Sequence, residues 1–167
     1  MINYFAYGSN MSLARIVSRL GATRKLGCYS LPQHELRFHK IGRDGSGKCD
    51  AFQTGDSQHL LYGVLFRISH RDKRLLDRFE GLGAGYDEKI VTVFSAGGDV
   101  RQAVLYFATH IDPAIDPFHW YKHHVLTGAR EALLPGEYIA RIEGVSAVVD
   151  TDIMRSREQM AIYTGQL

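Results

Sequence analysis

The chain has 167 residues, 45% hydrophobic and 23% charged, with a net charge of +2, which is typical of a globular protein about one domain long. At this length folding buries roughly 70% of the unfolded surface, so stability requires neither a metal nor a disulfide lattice. The scattered basic residues do not favour nucleic-acid binding, no stretch approaches the roughly 18 apolar residues of a membrane span, and the N-terminus lacks the pattern of a secretion signal. We therefore expect a cytoplasmic protein.

The first predicted element is a buried strand over Asn3–Tyr7 that breaks into the loop Gly8-Ser9-Asn10. Ser12 is then placed to cap a helix that Gly21 ends. The glycine-rich stretch 42–47 predicts a mobile turn. Around it the sequence predicts four short β-like runs, Leu26–Leu31, His34–Ile41, Cys49–Thr54 and Leu60–Phe66.

The second half of the chain begins with a capping-box pattern at Ser69 and Asp72, which predicts a helix to about Glu80. The elements predicted after it are a hairpin of Tyr86–Phe94 and Val100–Ala108, a helix over Phe118–Leu126 capped by Asp116-Pro117, a helix from Pro135 to about Glu143, and a helical pattern from about Asp150. Strands dominate the middle and do not alternate with helices. This order favours an α+β domain with a curled or barrel-like sheet.

The loop Gly8-Ser9-Asn10 between a strand and a helix exposes backbone N–H groups near the positive end of a helix dipole, so it could hold a carboxylate or phosphate. The spacing is neither GxxxxGK[ST] nor GxGxxG, and Ser9 does not stand in GxSxG, so nucleotide binding and a hydrolase elbow are not supported. The alternative, an ordinary turn between a strand and a helix, is the more frequent case for such a pattern.

The eight histidines and two cysteines do not form a metal-binding pattern. His34-Glu35 with His39 reads HExxxH, which does not place two imidazoles as HExxH does. Cys28 and Cys49 are 21 residues apart with no CxxC, which fits free buried thiols better than a disulfide framework.

Glu80 is a candidate general base, because a partly buried carboxylate behind Phe79 in the last turn of a helix faces the negative end of the dipole. Tyr86, Tyr106 and Tyr121 are candidates to line a pocket. Taken alone, a solvated glutamate and packed tyrosines are the more frequent situations.

Taken together these residues resemble one family. The string Tyr4-Phe5-Ala6-Tyr7-Gly8-Ser9-Asn10-Met11, then Phe79-Glu80-Gly81 with Tyr86, then Tyr121-Lys122 leading to Gly128-Ala129-Arg130-Glu131 and Leu134-Pro135, is similar to the γ-glutamylcyclotransferases. The resemblance runs in order over residues 2 to about 143. It implies a small mixed β-barrel surrounded by helices over 1–167, and an enzyme that converts a γ-glutamyl compound into 5-oxoproline and the released amine, as in glutathione metabolism.

The resemblance also implies roles for single residues. It places the acid/base glutamate on Glu80, and substrate binding on Tyr4, Phe5, Ala6, Tyr7, Gly8, Ser9 and Tyr121. It implies no metal and no organic cofactor, a small γ-glutamyl molecule as the binding partner, and it leaves a homodimer open. The alternative from another class is a non-catalytic module that uses the glycine loop to hold a carboxylated metabolite.

Two departures from the family bear on the leaving amine. Asn10-Met11 differs from the pattern of the glutathione-specific branch, so we expect γ-glutamyl amino acids in preference to free glutathione. Asp87 follows Tyr86 where relatives often carry a basic residue. This difference argues against recognition of an acidic leaving amine at that edge.

Overall fold

Five strands form a closed barrel in the order β1-β5-β2-β6-β7. The structure is a computed structural model and describes residues 1–164. Strand β1 lies antiparallel to β5 and parallel to β7, which closes the ring and makes the barrel mixed. The predicted α+β class with a small mixed barrel is confirmed. The barrel strands are β1 (Ile2–Ala6), β2 (Arg24–Pro32), β5 (Leu60–Ile68), β6 (Tyr86–Phe94) and β7 (Val100–Ala108).

Strands β3 (His34–Ile41) and β4 (Gly47–Gln53) form a separate two-stranded hairpin, which we call the hairpin below. The turn between them was predicted to be mobile, and the structure shows a hydrogen-bonded one. Gly42 N–H donates to Ser46 O (2.9 Å), and Gly47 N–H donates to Asp116 O (2.9 Å), outside the hairpin. A side chain at Gly47 would meet the Phe38 carbonyl at 2.3 Å, so the turn is packed closely against the chain.

Helices surround the barrel, and none in residues 1–164 is long and apolar enough to cross a membrane. The predicted caps of the first two are confirmed. The Ser12 side chain accepts from Arg15 N, and Ser69 with Asp72 makes both bonds of a capping box. The helices are α1 (Leu13–Leu20), α2 (His70–Glu80), α3 (His119–Glu131), α4 (Gly136–Glu143) and α5 (Ile153–Ala161).

Helix α3 differs from its prediction at both ends. Pro117 O accepts a hydrogen bond from Val148 N (3.0 Å) and Phe118 pairs with Val148, so the backbone there is extended and the helix starts after it. The helix also continues past Leu126. Its Gly128 packs on the start of α1, where an added Cβ would lie 2.3 Å from Ser12 N. That glycine allows two backbones to approach and does not end the helix.

The core is made of large side chains from the barrel strands, and it positions the glycine loop and the end of helix α2. Phe5, Leu65, Phe66 and Leu105 are fully buried, and each such side chain stabilises the fold by roughly 1.5–3 kcal/mol. Buried β1 thereby holds the loop that follows it. Leu76, also fully buried, holds α2, whose last residue is Glu80.

Candidate active site

The glycine loop follows β1 directly and turns through a 3₁₀ segment, Ser9–Met11, into α1. Met11 N–H donates to Gly8 O (3.0 Å), and the side chains of Ser9 and Asn10 are buried. An added Cβ at Gly8 would lie 2.8 Å from Cys49 Cβ in β4. Gly8 is therefore needed for close packing of the loop against the hairpin.

Glu80 is held by the loop and by α1. Its Oε1 accepts from Asn10 Nδ2 (2.9 Å) and from Arg19 Nη1 (2.8 Å), and its side chain is 15% exposed. No motif in the sequence indicates Arg19, whose guanidinium also lies 5.1 Å from the Phe79 ring centroid. Arg19 supplies positive charge at the negative end of α2. Within residues 1–164 no protein donor reaches Oε2, which leaves that oxygen for a ligand.

A small cavity of about 20 Å³, called the tyrosine cavity below, opens between Glu80 and the loop. The structure brings most of the predicted site residues to it but leaves two outside. Phe5 packs at the Gly63 position of β5, and Ala6 pairs with Val64, so their side chains do not line it. The lining residues are Tyr4, Tyr7, Gly8, Ser9, Asn10, Cys49, Glu80, Tyr86, Tyr106 and Tyr121.

Three of these tyrosines use their hydroxyl protons within the protein. Tyr7 donates to Tyr106 O, Tyr86 donates to Cys49 O (2.5 Å), and Tyr106 donates to Asp77 Oδ1 (2.6 Å). These bonds fix the wall of the cavity. The hydroxyl of Tyr7, predicted to bind substrate, therefore serves a structural contact.

The other three hydroxyls accept a hydrogen bond from the protein, so each retains a proton of its own. Tyr4 accepts from Asn10 Nδ2 (2.9 Å), Ser9 from Arg15 Nε (3.1 Å), and Tyr121 from the backbone N–H of Cys49 (3.0 Å). Burial raises the pKa of Tyr4 and of Tyr121 well above the ordinary tyrosine value, so both stay protonated at neutral pH. The cavity thus offers the O–H groups of Tyr4 and Ser9 to a ligand, and that of Tyr121, which also lies beside the Cys49 thiol.

A wider cavity of about 200 Å³, called the basic cavity below, adjoins the tyrosine cavity. The two share Ser9, Glu80, Tyr86 and Tyr121, so the carboxylate of Glu80 stands at their junction. The basic cavity takes most of its other residues from α1 and the hairpin turn. Its lining residues are Ser9, Arg15, Arg19, Lys40, Gly42, Arg43, Asp44, Lys48, Phe79, Glu80, Tyr86 and Tyr121.

Arg15 connects the basic cavity to the glycine loop and to the C-terminal helix. Its Nε donates to Ser9 Oγ, and its Nη1 donates to Gln159 Oε1 in α5 (2.7 Å). Burial lowers the pKa of Arg15 to about 10, so it remains charged at neutral pH. A buried cation thus lies directly behind the loop serine.

The hairpin turn contributes a second set of charges that the sequence analysis did not predict. Lys48 Nζ pairs with Asp44 Oδ2 (2.8 Å), and both side chains are about 15% exposed. Neither residue matches a motif, because their position depends on the turn packing over the end of α2. A glycine-rich stretch predicted only as a turn therefore forms one wall of the cavity.

The two histidines of the HExxxH pattern, His34 and His39, bond to protein groups. His39 Nε2 pairs with Asp50 Oδ2 (2.8 Å), and His34 Nδ1 bonds a backbone carbonyl (2.8 Å). Cys28 and Cys49 are free thiols, as predicted. Burial raises the pKa of the Cys49 thiol well above its ordinary value, so it stays protonated and unreactive.

The sequence model of the AIG2-like family matches residues 60–142. Among solved structures, a γ-glutamyl cyclotransferase is 24% identical with a TM-score of 0.80, over 95% of this chain and 98% of the other. An uncharacterized human protein is 25% identical with a TM-score of 0.79, over 92% and 96% of the two chains. A yeast γ-glutamyl cyclotransferase specific to glutathione is 10% identical with a TM-score of 0.60, over 84% and 93%.

No curated protein sequence matches the chain significantly. The structural matches extend over nearly the whole chain and show the same barrel fold. The family match covers β5, α2 with Glu80, the β6–β7 hairpin and α3 with Tyr121. The AIG2-like family match and the shared fold support an assignment to the γ-glutamylcyclotransferase family.

Proposed function

We propose that the protein is a γ-glutamylcyclotransferase that converts γ-glutamyl amino acids or related γ-glutamyl amines into 5-oxoproline and the free amine. The observation that carries this proposal is the position of Glu80. Its carboxylate stands where the tyrosine cavity meets the basic cavity, with one oxygen anchored by Asn10 and Arg19. The likeness in fold to a γ-glutamyl cyclotransferase supports the same reaction.

The reaction is an attack by the α-amine of the substrate on its own γ-carbonyl carbon. A new C–N bond closes the five-membered ring, and the C–N bond to the leaving amine breaks. Because the nucleophile belongs to the substrate, the enzyme has to remove a proton from the α-ammonium, fold the glutamyl chain and stabilise the negative oxygen that develops on the γ-carbon.

In the proposed mechanism Glu80 performs both proton transfers. Its Oε2 takes a proton from the α-ammonium and later returns that proton to the leaving nitrogen, so the carboxylate ends as it began. The two hydrogen bonds to Oε1 restrain the side chain in one orientation during this cycle. Its side chain is largely screened from solvent, which limits the loss of the proton to water.

The three available hydroxyl protons serve the oxygens of the substrate. Tyr121 and Ser9 both line the two cavities, and we assign Tyr121 to the γ-carbonyl oxygen as it becomes negative. Ser9, with the charge of Arg15 behind it, suits the α-carboxylate. These donors are held by the protein before substrate arrives, so little reorganisation is required at the moment of reaction.

The proposal is tested by incubating the protein with γ-glutamyl amino acids and γ-glutamyl amines and measuring 5-oxoproline against an enzyme-free blank. An α-linked glutamyl dipeptide offers the wrong carbonyl and an N-acetylated γ-glutamyl dipeptide lacks the nucleophile, so neither should react. Product from the γ-linked donors alone would support the proposal. Binding of donors without any 5-oxoproline would favour the non-catalytic module instead.

A further inference from the structure

Lys40, in strand β3, carries a buried cationic group. It is 6% exposed and lines the basic cavity, where its Nζ lies 4.8 Å from the centre of the Tyr86 ring. Over residues 1–164 that nitrogen makes neither an ion pair nor a hydrogen bond. An added Cβ at Gly85 would lie 2.9 Å from Nζ, so the absence of a side chain there makes room for the lysine.

Arg43 is a second cation at the same wall. An added Cβ at Gly81 would lie 3.1 Å from Arg43 Nη2, so the guanidinium sits beside the residue that follows Glu80. The described part of the chain supplies it with no carboxylate partner either. The other cations of the cavity already have partners, namely Arg19 with Glu80, Lys48 with Asp44 and Arg15 with Ser9.

The unpaired charges lie on the hairpin, whereas the groups assigned to the glutamyl half lie on the loop and on α3. Burial lowers the pKa of Lys40, which means that its charged form is disfavoured without a partner. An anion bound in the cavity would compensate that cost. A substrate that fills the glutamyl side would therefore leave two cations facing its leaving amine.

We propose that Lys40 and Arg43 bind the leaving half of the substrate, and that the enzyme prefers γ-glutamyl donors whose leaving amine is a dicarboxylic amino acid. This rests on the proposed cyclotransferase function. Such a leaving group brings two carboxylates, one for each unpaired cation. The sequence-based expectation from Asp87 is thereby replaced, since Asp87 is exposed and the basic groups near Tyr86 come from the hairpin.

The test compares γ-glutamyl-glutamate with γ-glutamyl-glutamine, which differ by one carboxylate at almost constant shape. We expect wild-type kcat/KM to favour the acidic donor by about tenfold, and Lys40→Met to remove most of that preference while turnover of the glutamine donor continues. Lys89→Met is the matched control, because Lys89 also lies over an aromatic ring, that of Phe107, but does not line the cavity.

Equal or reversed use of the two donors by the wild type would overturn this proposal while leaving the cyclotransferase function intact. So would a preference that survives in a Lys40→Met, Arg43→Gln double variant. If no donor yields 5-oxoproline, the proposed function fails, and calorimetric binding of the two dipeptides decides the charge preference separately. Tighter binding of the acidic dipeptide, lost in Lys40→Met, would support it; equal affinities would refute it.

Discussion

The tyrosine cavity and the basic cavity share four residues but are built by different means. The first is lined mainly by β1, the loop after it and tyrosines of β6, β7 and α3, and its hydroxyls are fixed by bonds to neighbouring backbone and side chains. The second depends on long charged side chains from α1 and the hairpin turn. Short, braced groups suit positioning of reacting atoms, whereas long charged chains suit recognition of a variable leaving group.

The largest effect is expected at the junction. Glu80→Gln keeps the shape and can still accept the bonds of Asn10 and Arg19, but it cannot take the ammonium proton. We expect kcat to fall by about 10²–10⁴-fold, roughly 3–5 kcal/mol of barrier, with donor affinity largely retained. Steady-state kinetics with a calorimetric Kd measures both. Glu137→Gln, at an exposed position of α4, is the control, and a near-wild-type rate in Glu80→Gln would remove Glu80 from the mechanism.

The packing that holds the tyrosine cavity can be disrupted at Gly128. This glycine allows α3, which carries Tyr121, to approach the start of α1. Gly128→Ala would place Cβ 2.3 Å from Ser12 N, so we expect the free energy of unfolding to fall by about 1–3 kcal/mol, measured by urea denaturation. Gly136→Ala is the matched control, since its Cβ meets nothing within 4 Å in α4 and alanine favours a helix. Equal stability of the two variants would contradict the close packing.

Tyr121 and Tyr86 sharpen the distinction between available and structural hydroxyls, because both bond the backbone of Cys49. Tyr121→Phe removes a donor to the substrate, so we expect kcat/KM to fall by about 10- to 100-fold and equally for every leaving group. Tyr86→Phe removes a structural hydrogen bond, so we expect the free energy of unfolding to fall by ~1 kcal/mol with little change in kcat/KM. Equal rate losses in the two variants, at equal thermal stability, would erase the distinction.

The smallest effect is expected in the basic cavity. Asp44→Asn leaves an oxygen to accept from Ser46 but removes the charge that compensates Lys48. We expect KM for a dicarboxylic donor to fall by about two- to threefold with kcat unchanged, and the change to shrink at high salt. A rise in KM would contradict this expectation. It would show that the Lys48–Asp44 pair matters by holding the side chains of the cavity in position, and not through its effect on the net charge.

Local signals explain which parts of this molecule could be predicted. The caps at Ser12 and at Ser69 with Asp72 depend on residues three apart, and the strands Tyr86–Phe94 and Val100–Ala108 are bounded by their own turn residues. The start of α3 was predicted wrongly because a distant residue, Val148, pairs with Phe118 and keeps it extended.

The candidate site likewise contains residues that local motifs predict and partners that only the fold brings together. Tyr4, Ser9, Glu80 and Tyr121 come from motifs that the family resemblance identifies. The partners that distinguish their roles lie far away in sequence, such as Arg19, which is 61 residues from Glu80, and Cys49, which is 72 residues from Tyr121. No periodicity or spacing reports such contacts, since they arise only when the hairpin and α1 fold against the barrel.

The hairpin has a consequence for how this protein could change over evolution or by design. Its β4 strand supplies the Cys49 backbone, which holds Tyr121 and Tyr86, so that position constrains the chemistry. The turn over residues 40–48 supplies only charge and shape to the basic cavity. Under the proposed function, new turns grafted between the same two strands would therefore change which leaving group is accepted, while the barrel and its hydroxyl groups stay the same.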